Sequence, residues 1–145
     1  MMIILNIEQF EAIVNHARDS LPNEDCGLLG GIVEDNKKIV KKVYFLTNID
    51  KSPEHFSMEP KEQFAAVKDM RNNGWTLLGN FHSHPETPSR MSEEDKRLAF
   101  DTNMSYLILS LADEEPVLNS FNIDSDKIVS KEELLTLPTH KCGGF

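Results

Sequence analysis

The chain reads as a single layered α/β domain, and three observations carry that reading. Segments with helical apolar spacing alternate with short apolar runs of strand character. The chain has 145 residues, enough for one domain with a substantial core. Its make-up, 39% hydrophobic and 27% charged, is that of an ordinary globular chain without low-complexity tracts or internal repeats.

Taken in order, residues 1–6 form a short strand or lead-in. Phe10, Ile13, Val14 and Ala17 then recur at helical spacing, so residues 7–20 form an amphipathic helix, with Asn6 as its cap and Glu8 in the first turn. His16 lies on it as a surface or half-buried side chain. After Leu21-Pro22-Asn23, residues 24–33 form a central strand whose glycines permit close approach of backbone or ligand. Residues 34–38 turn the chain into a partner strand, 39–47. Residues 48–59 are a loop, and His55-Phe56 within it faces the substrate side at most. Pro60 opens a helix over 60–73, patterned on Phe64, Val67, Lys68 and Arg71 and stopped by Asn72-Asn73-Gly74. Strands follow at 75–81, 106–111 and, weakly, 117–123. A third helix covers 92–103, with Leu98, Ala99 and Thr102 turned inward. Ile128-Val129 begins a last short strand, 131–137 reads as a short helix, and the end of the chain is a loose tail.

Composition narrows function. With 24 acidic against 15 basic residues the formal charge is −9, which repels a nucleic-acid backbone and leaves a basic protein face compatible. No apolar run reaches membrane-spanning length. The opening Met1-Met2-Ile3-Ile4-Leu5 is too short for a signal peptide and lacks a basic flank, so a cytoplasmic location is expected. Cys26 and Cys142 form no motif and are expected as free thiols, Cys26 as a small buried hydrophobe.

The chemistry concentrates in residues 81–95. His82 and His84 follow an apolar run of strand character, and at i, i+2 their imidazoles share one face roughly 6–7 Å apart. Pro85 breaks the strand. Ser92 then caps a helix, with Asp95 in its first turn. Ser-x-x-Asp is by itself an ordinary capping box. It leaves the two histidines unexplained, however, and cap geometry can also aim Asp95 at them. Three such ligands around a tetrahedral zinc leave one position open, the mark of a catalytic rather than a structural site. Hydrolysis there also needs a base, because zinc brings the pKa of bound water towards ~7 and a carboxylate must take and return the proton. Glu24 is the candidate, with Asp25 as its competitor.

Glu24 followed by Cys26-Gly27-Leu28-Leu29, then His82-Ser83-His84-Pro85, then Ser92-Glu93-Glu94-Asp95, resembles the JAMM (MPN+) metalloprotease family. Its pattern is an upstream glutamate, H-[S/T]-H, seven residues, S, two residues, D, and every position is matched here. Pro22, the loop around Ser52-Pro53-Glu54-His55-Phe56 and the helix after Pro60 extend the resemblance over about residues 8–112. It implies a cytidine-deaminase-like fold, a mixed β-sheet flanked by helices, over residues 1–140, with 141–145 as a flexible tail. It also implies one zinc per chain on His82, His84 and Asp95, Glu24 as general base, and Ser92 as the hydroxyl that holds water and stabilises the oxyanion. The implied substrate is a peptide or isopeptide bond after the C-terminal diglycine of a ubiquitin-like or sulfur-carrier protein, and a homodimer is compatible. No insertion separates Tyr106 from Val117, which favours the compact prokaryotic type over ubiquitin-chain-specific relatives. Cys142-Gly143-Gly144-Phe145 is either a loose end or a mimic of such a substrate.

Other zinc chemistries fit less well. A nucleobase deaminase needs P-C-x-x-C, which neither cysteine supplies. An amidohydrolase barrel needs ~250 residues, and no H-E-x-x-H helix is present. The non-enzyme alternative is a latent scaffold that needs a partner, but relatives that have lost the metal lack ligands that this chain retains.

Overall fold

In the computed structural model, which describes residues 1–138, a mixed sheet of seven strands curls until its first strand meets its last. Strand β1 (Met2–Asn6) runs straight into helix α1 (Ile7–Ser20). A hairpin follows, β2 (Cys26–Glu34) and β3 (Lys37–Leu46), then helix α2 (Pro60–Asn72) and strand β4 (Thr76–His84). The short helix α3 (Glu93–Leu98) leads to β5 (Ser105–Ser110), β6 (Val117–Ile123) and β7 (Val129–Leu137). The order is β1-β3-β2-β4-β5-β6-β7, and β1 closes it by pairing in parallel with both β3 and β7. The expected mixed sheet with helices is therefore present. Its closure depends on pairing between the two ends of the chain, which no local pattern announces.

Local chemistry explains most elements. Asn6 and Gln9 form a reciprocal capping box at the start of α1, and Ile13, Val14 and Ala17 bury its inner face. Asp35 and Asn36, both at positive φ, make the two-residue turn between β2 and β3. Gly27 is required by the pairing: a Cβ there would sit 2.2 Å from the Tyr44 carbonyl oxygen. Pro60 lies in the first turn of α2 after its Glu59 cap.

Three expectations are corrected. Residues 131–137 are strand, not helix. Lys-Glu-Glu-Leu-Leu suits a helix, but pairing with β1 and β6 overrides that preference and turns Leu134 towards the core. The third helix stops at Leu98 rather than 103. Lys127 Nζ donates to the carbonyls of Lys96 and Ala99 at 3.1 and 2.5 Å and satisfies groups a longer helix would have used. Ala99 is buried as expected, but Leu98 and Thr102 are exposed. Helix α2 buries Ala66 and Met70, whereas Phe64 is 74% exposed, so its inner face is rotated from the expected one. The expectations about the tail, including Cys142, fall outside the described residues.

One core cluster joins α1 to β1, β2, β4 and β5 through Ile3, Leu5, Ile13, Leu29, Phe81 and Leu107. A second lies under α2 and a third behind α3. β4 runs between β2 and β5, so its C-terminal end is supported on both sides. No helix among the described residues is long and apolar enough to cross a membrane.

Candidate metal centre

β4 extends through residue 84, so both histidines belong to the strand and share one face. In the antiparallel pairing Cys26 lies opposite His82. One step further, the Ser83 N–H donates to the Asp25 carbonyl at 3.0 Å. Continuing that register brings Glu24 alongside His84. Directly opposed residues of an antiparallel pair point to the same face, so Glu24 joins the two imidazoles. Asp95 arrives from the first turn of α3. Its N–H donates to Ser92 Oγ at 3.0 Å, while its own Oδ2 accepts the Ser92 N–H at 2.9 Å. The capping box therefore fixes the carboxylate's direction.

The Nε2 atoms of His82 and His84 lie 3.1 Å apart, and Asp95 Oδ2 lies 3.1 and 3.2 Å from them. Zinc bonds of ~2.0–2.1 Å give a tetrahedron with edges of ~3.3 Å, so the three donors are spaced to hold that ion. His84 Nδ1 is 2.9 Å from the Pro88 carbonyl oxygen. Donation there assigns the proton to Nδ1 and leaves the Nε2 lone pair facing the other donors. Both histidines are buried.

The electrostatics are those of a site shaped for a cation. Burial lowers the pKa of His82 and outweighs the Asp95 carboxylate beside it. Burial works the same way on His84, but Asp95 and the Pro88 carbonyl prevail and raise it. Asp95 is also desolvated, yet its bonds to both imidazoles hold its carboxyl well below the usual range. Glu24 differs. It is 5% exposed and its Oε1 is buried without a hydrogen-bond partner among the described residues. Burial pushes its pKa up to about 8, with His84 opposing and Asp95, Glu94 and Glu54 adding. An unpartnered carboxyl beside two imidazoles and a carboxylate is what a site for a cation and a water molecule requires. The donor set, its spacing and this orphaned oxygen all fit zinc.

Asp25, the competing carboxylate, turns away and meets His16 Nδ1 at 2.6 Å. The His16 ring stacks on Phe45 at 4.3 Å, so His16 is half-buried and engaged. Cys26 is fully buried, and burial pushes its thiol up to about 12, which makes it inert. Beside the triad lies an apolar pocket lined by Phe56, His82, Met91, Asp95, Leu98 and Tyr106.

The family profile described as prokaryotic homologs of the JAB domain matches residues 7–124. The chain belongs to this JAB-domain family. Across 112 residues it is 26% identical to a CysO-cysteine peptidase of Mycobacterium tuberculosis, covering 77% of this chain and 75% of that protein. Over 105 residues it is 28% identical to a desampylase of Haloferax volcanii, covering 69% and 74%. A Desulfitobacterium hafniense protein of known solution structure superposes with a TM-score of 0.85 and 56% identity over 94% of each chain. The JAB-domain relatives that carry an activity in their names are thus hydrolases, and hydrolysis is the family-level chemistry.

Sequence reasoning did not single out Asn48, nor the engagement of Phe56 with His82. Each acts through a partner distant in the chain, so spacing along the sequence carries no signal of it.

Proposed function

We propose that this chain is a zinc metallopeptidase that cleaves the peptide or isopeptide bond after the C-terminal diglycine of a ubiquitin-like or sulfur-carrier protein. The observation that carries the reading is the orphaned Glu24 carboxyl beside three donors at tetrahedral spacing. The names of the two JAB-domain relatives support the substrate class.

His82, His84 and Asp95 hold the zinc. Bound there, zinc supplies Lewis acidity that polarises the scissile carbonyl and acidifies water. Glu24, buried beside the ligand set, takes the proton of the attacking water. Ser92 Oγ already accepts the Asp95 N–H, so its own O–H is free to donate to the oxyanion as it forms. Glu24 then passes its proton to the leaving amine as the C–N bond breaks. The products are a glycine carboxylate and an amine, with no covalent enzyme intermediate.

The test is intact mass of diglycine-ended carriers bearing extra C-terminal residues, incubated with the zinc-loaded protein. Loss of mass matching cleavage after Gly-Gly, blocked by chelator, is expected. Glu24→Gln keeps zinc and loses turnover by at least about 100-fold, the scale of general-base catalysis, and His84→Ala loses both. Zinc at full stoichiometry in the His84 variant would count against the ligand set, and bound but uncut carriers would point to a scaffold.

A further inference from the structure

The loop of residues 47–59 reaches the candidate site at two points. Both backbone polar groups of Glu24 end on it: the Glu24 N–H donates to the Ser52 carbonyl at 2.8 Å, and Asn48 Nδ2 donates to the Glu24 carbonyl at 3.0 Å. Asn48 is the hub of the loop. Its amide also donates to the His55 carbonyl, and its Oδ1 accepts the N–H groups of Asp50 and Ser57 at 3.0 and 3.1 Å. Every donor and acceptor of that side chain is used. A bridge between Asn48 and Met58 closes the base of the loop.

The second point is Phe56, whose ring stacks on His82 with centroids 4.6 Å apart and planes 25° from parallel. His84 is oriented by its bond to the Pro88 carbonyl. Among the described residues no hydrogen bond reaches His82 Nδ1, so the ring face of Phe56 is what restricts the orientation of the His82 ring. Phe56 also lines the apolar pocket beside the triad.

We propose that this loop is a positioning clamp, in which Asn48 holds the backbone of Glu24 and Phe56 holds the imidazole of His82. The inference rests on the roles given above to those two residues. One element then sets the base and a metal ligand together, and a substrate chain that presses on the loop acts on both. Asn48 and Phe56 are positioning residues, because neither is asked to touch the reacting atoms.

The experiment combines zinc-competition titration with steady-state kinetics on a diglycine-ended carrier, using variants confirmed to be folded by thermal melting. Phe56→Leu keeps an apolar side chain but removes the ring. It is expected to weaken zinc binding about 10-fold or more, the usual effect of losing an outer partner of a ligand, and Phe56→Tyr restores it. Asn48→Ala is expected to lower kcat about 10-fold or more with KM within about 2-fold, the split seen when a group that acts in the transition state is misplaced, and to weaken zinc binding as well, because the loop that carries Phe56 loses its hub. Asn48→Asp is the second variant: it retains the oxygen that serves Asp50 and Ser57 and removes the donors to Glu24 and His55, so it should lower kcat in a loop that keeps its Oδ1 bonds. Parental zinc affinity in Phe56→Leu, or parental kcat in both Asn48 variants, overturns the clamp while Glu24→Gln and His84→Ala still behave as stated. A parent protein that binds no zinc overturns the functional reading and the clamp with it.

Discussion

Glu24 holds its carboxyl in a place that favours the protonated form, and this has a cost that can be measured without any substrate. Its pKa is about 8 in the folded chain against 4.5 for the free side chain. Between those values the unfolded chain releases a proton that the folded chain keeps. The contribution of Glu24 to the stability of the zinc-free protein is therefore fully present below about pH 4.5, falls as pH rises, and levels off above about pH 8. The slope is at most about 1.4 kcal/mol per pH unit. Replacing Glu24 by Gln removes the titration. Chelated Glu24→Gln protein is expected to melt several degrees above the parent at pH 8 and to converge with it near pH 4.5. Parallel melting curves across that range would show that Glu24 is solvated and not poised. The same carboxyl is thus destabilising for the fold when charged, a trade of the kind found where placement serves function over stability.

At the scale of elements, α3 has only six residues, too few to be stable alone, yet it delivers Asp95. Ser92 caps one end and Lys127 ties down the carbonyls at the other. Lys127→Met is expected to lower stability by about 1 kcal/mol, the worth of such bonds at an exposed position, read as a shift of the urea midpoint. At the opposite end of the fold, α1 relies on the Asn6 cap, and Asn6→Ala should cost about 1 kcal/mol by the same measurement, with zinc stoichiometry unchanged. The contrast is informative: the two helices are capped alike, but of the three candidate ligands Asp95 lies on α3 and none on α1, so fraying of α3 is the one expected also to weaken metal binding. A Lys127 variant with reduced stability and intact zinc affinity would separate the cap from the site.

Across the whole molecule, closure of the sheet places a buried polar network between strands that are remote in sequence. Lys38 Nζ donates to the carbonyls of Leu78 and Asn103 at 3.3 and 2.7 Å and to Ser105 Oγ at 2.7 Å. Ser105 and Ser120 in turn donate to Glu132 Oε1 at 2.6 and 2.8 Å, while Glu132 Oε2 has no hydrogen-bond partner among the described residues. The serine-bridged pair links β3, β5, β6 and β7. Burial lowers the pKa of Lys38, with Glu132 opposing. Glu132→Leu leaves the lysine without its counter-charge and is expected to cost about 3–5 kcal/mol in urea unfolding. The double change Lys38→Met with Glu132→Leu is expected to recover most of that loss. Equal destabilisation in single and double variants would show that packing, not the charge, decides.

What was legible in the sequence was local. The capping box at Ser92 and Asp95, the i, i+2 histidines and the helix at residues 7–20 depend on neighbours within a turn or a strand, so spacing alone determines them. The strand at Val129–Leu137 was not legible, because its residues favour a helix until β1 and β6 offer it a ladder. Nor was the setting of Glu24. Nothing near it in the chain shows that it will lie alongside His84, lose its water and depend on Asn48 and Ser52 for its backbone bonds. The residue types and their spacing thus determined by themselves which side chains can hold a metal. The tertiary structure decided which carboxyl stands beside them, because burial and cross-strand pairing exist only once distant segments have met.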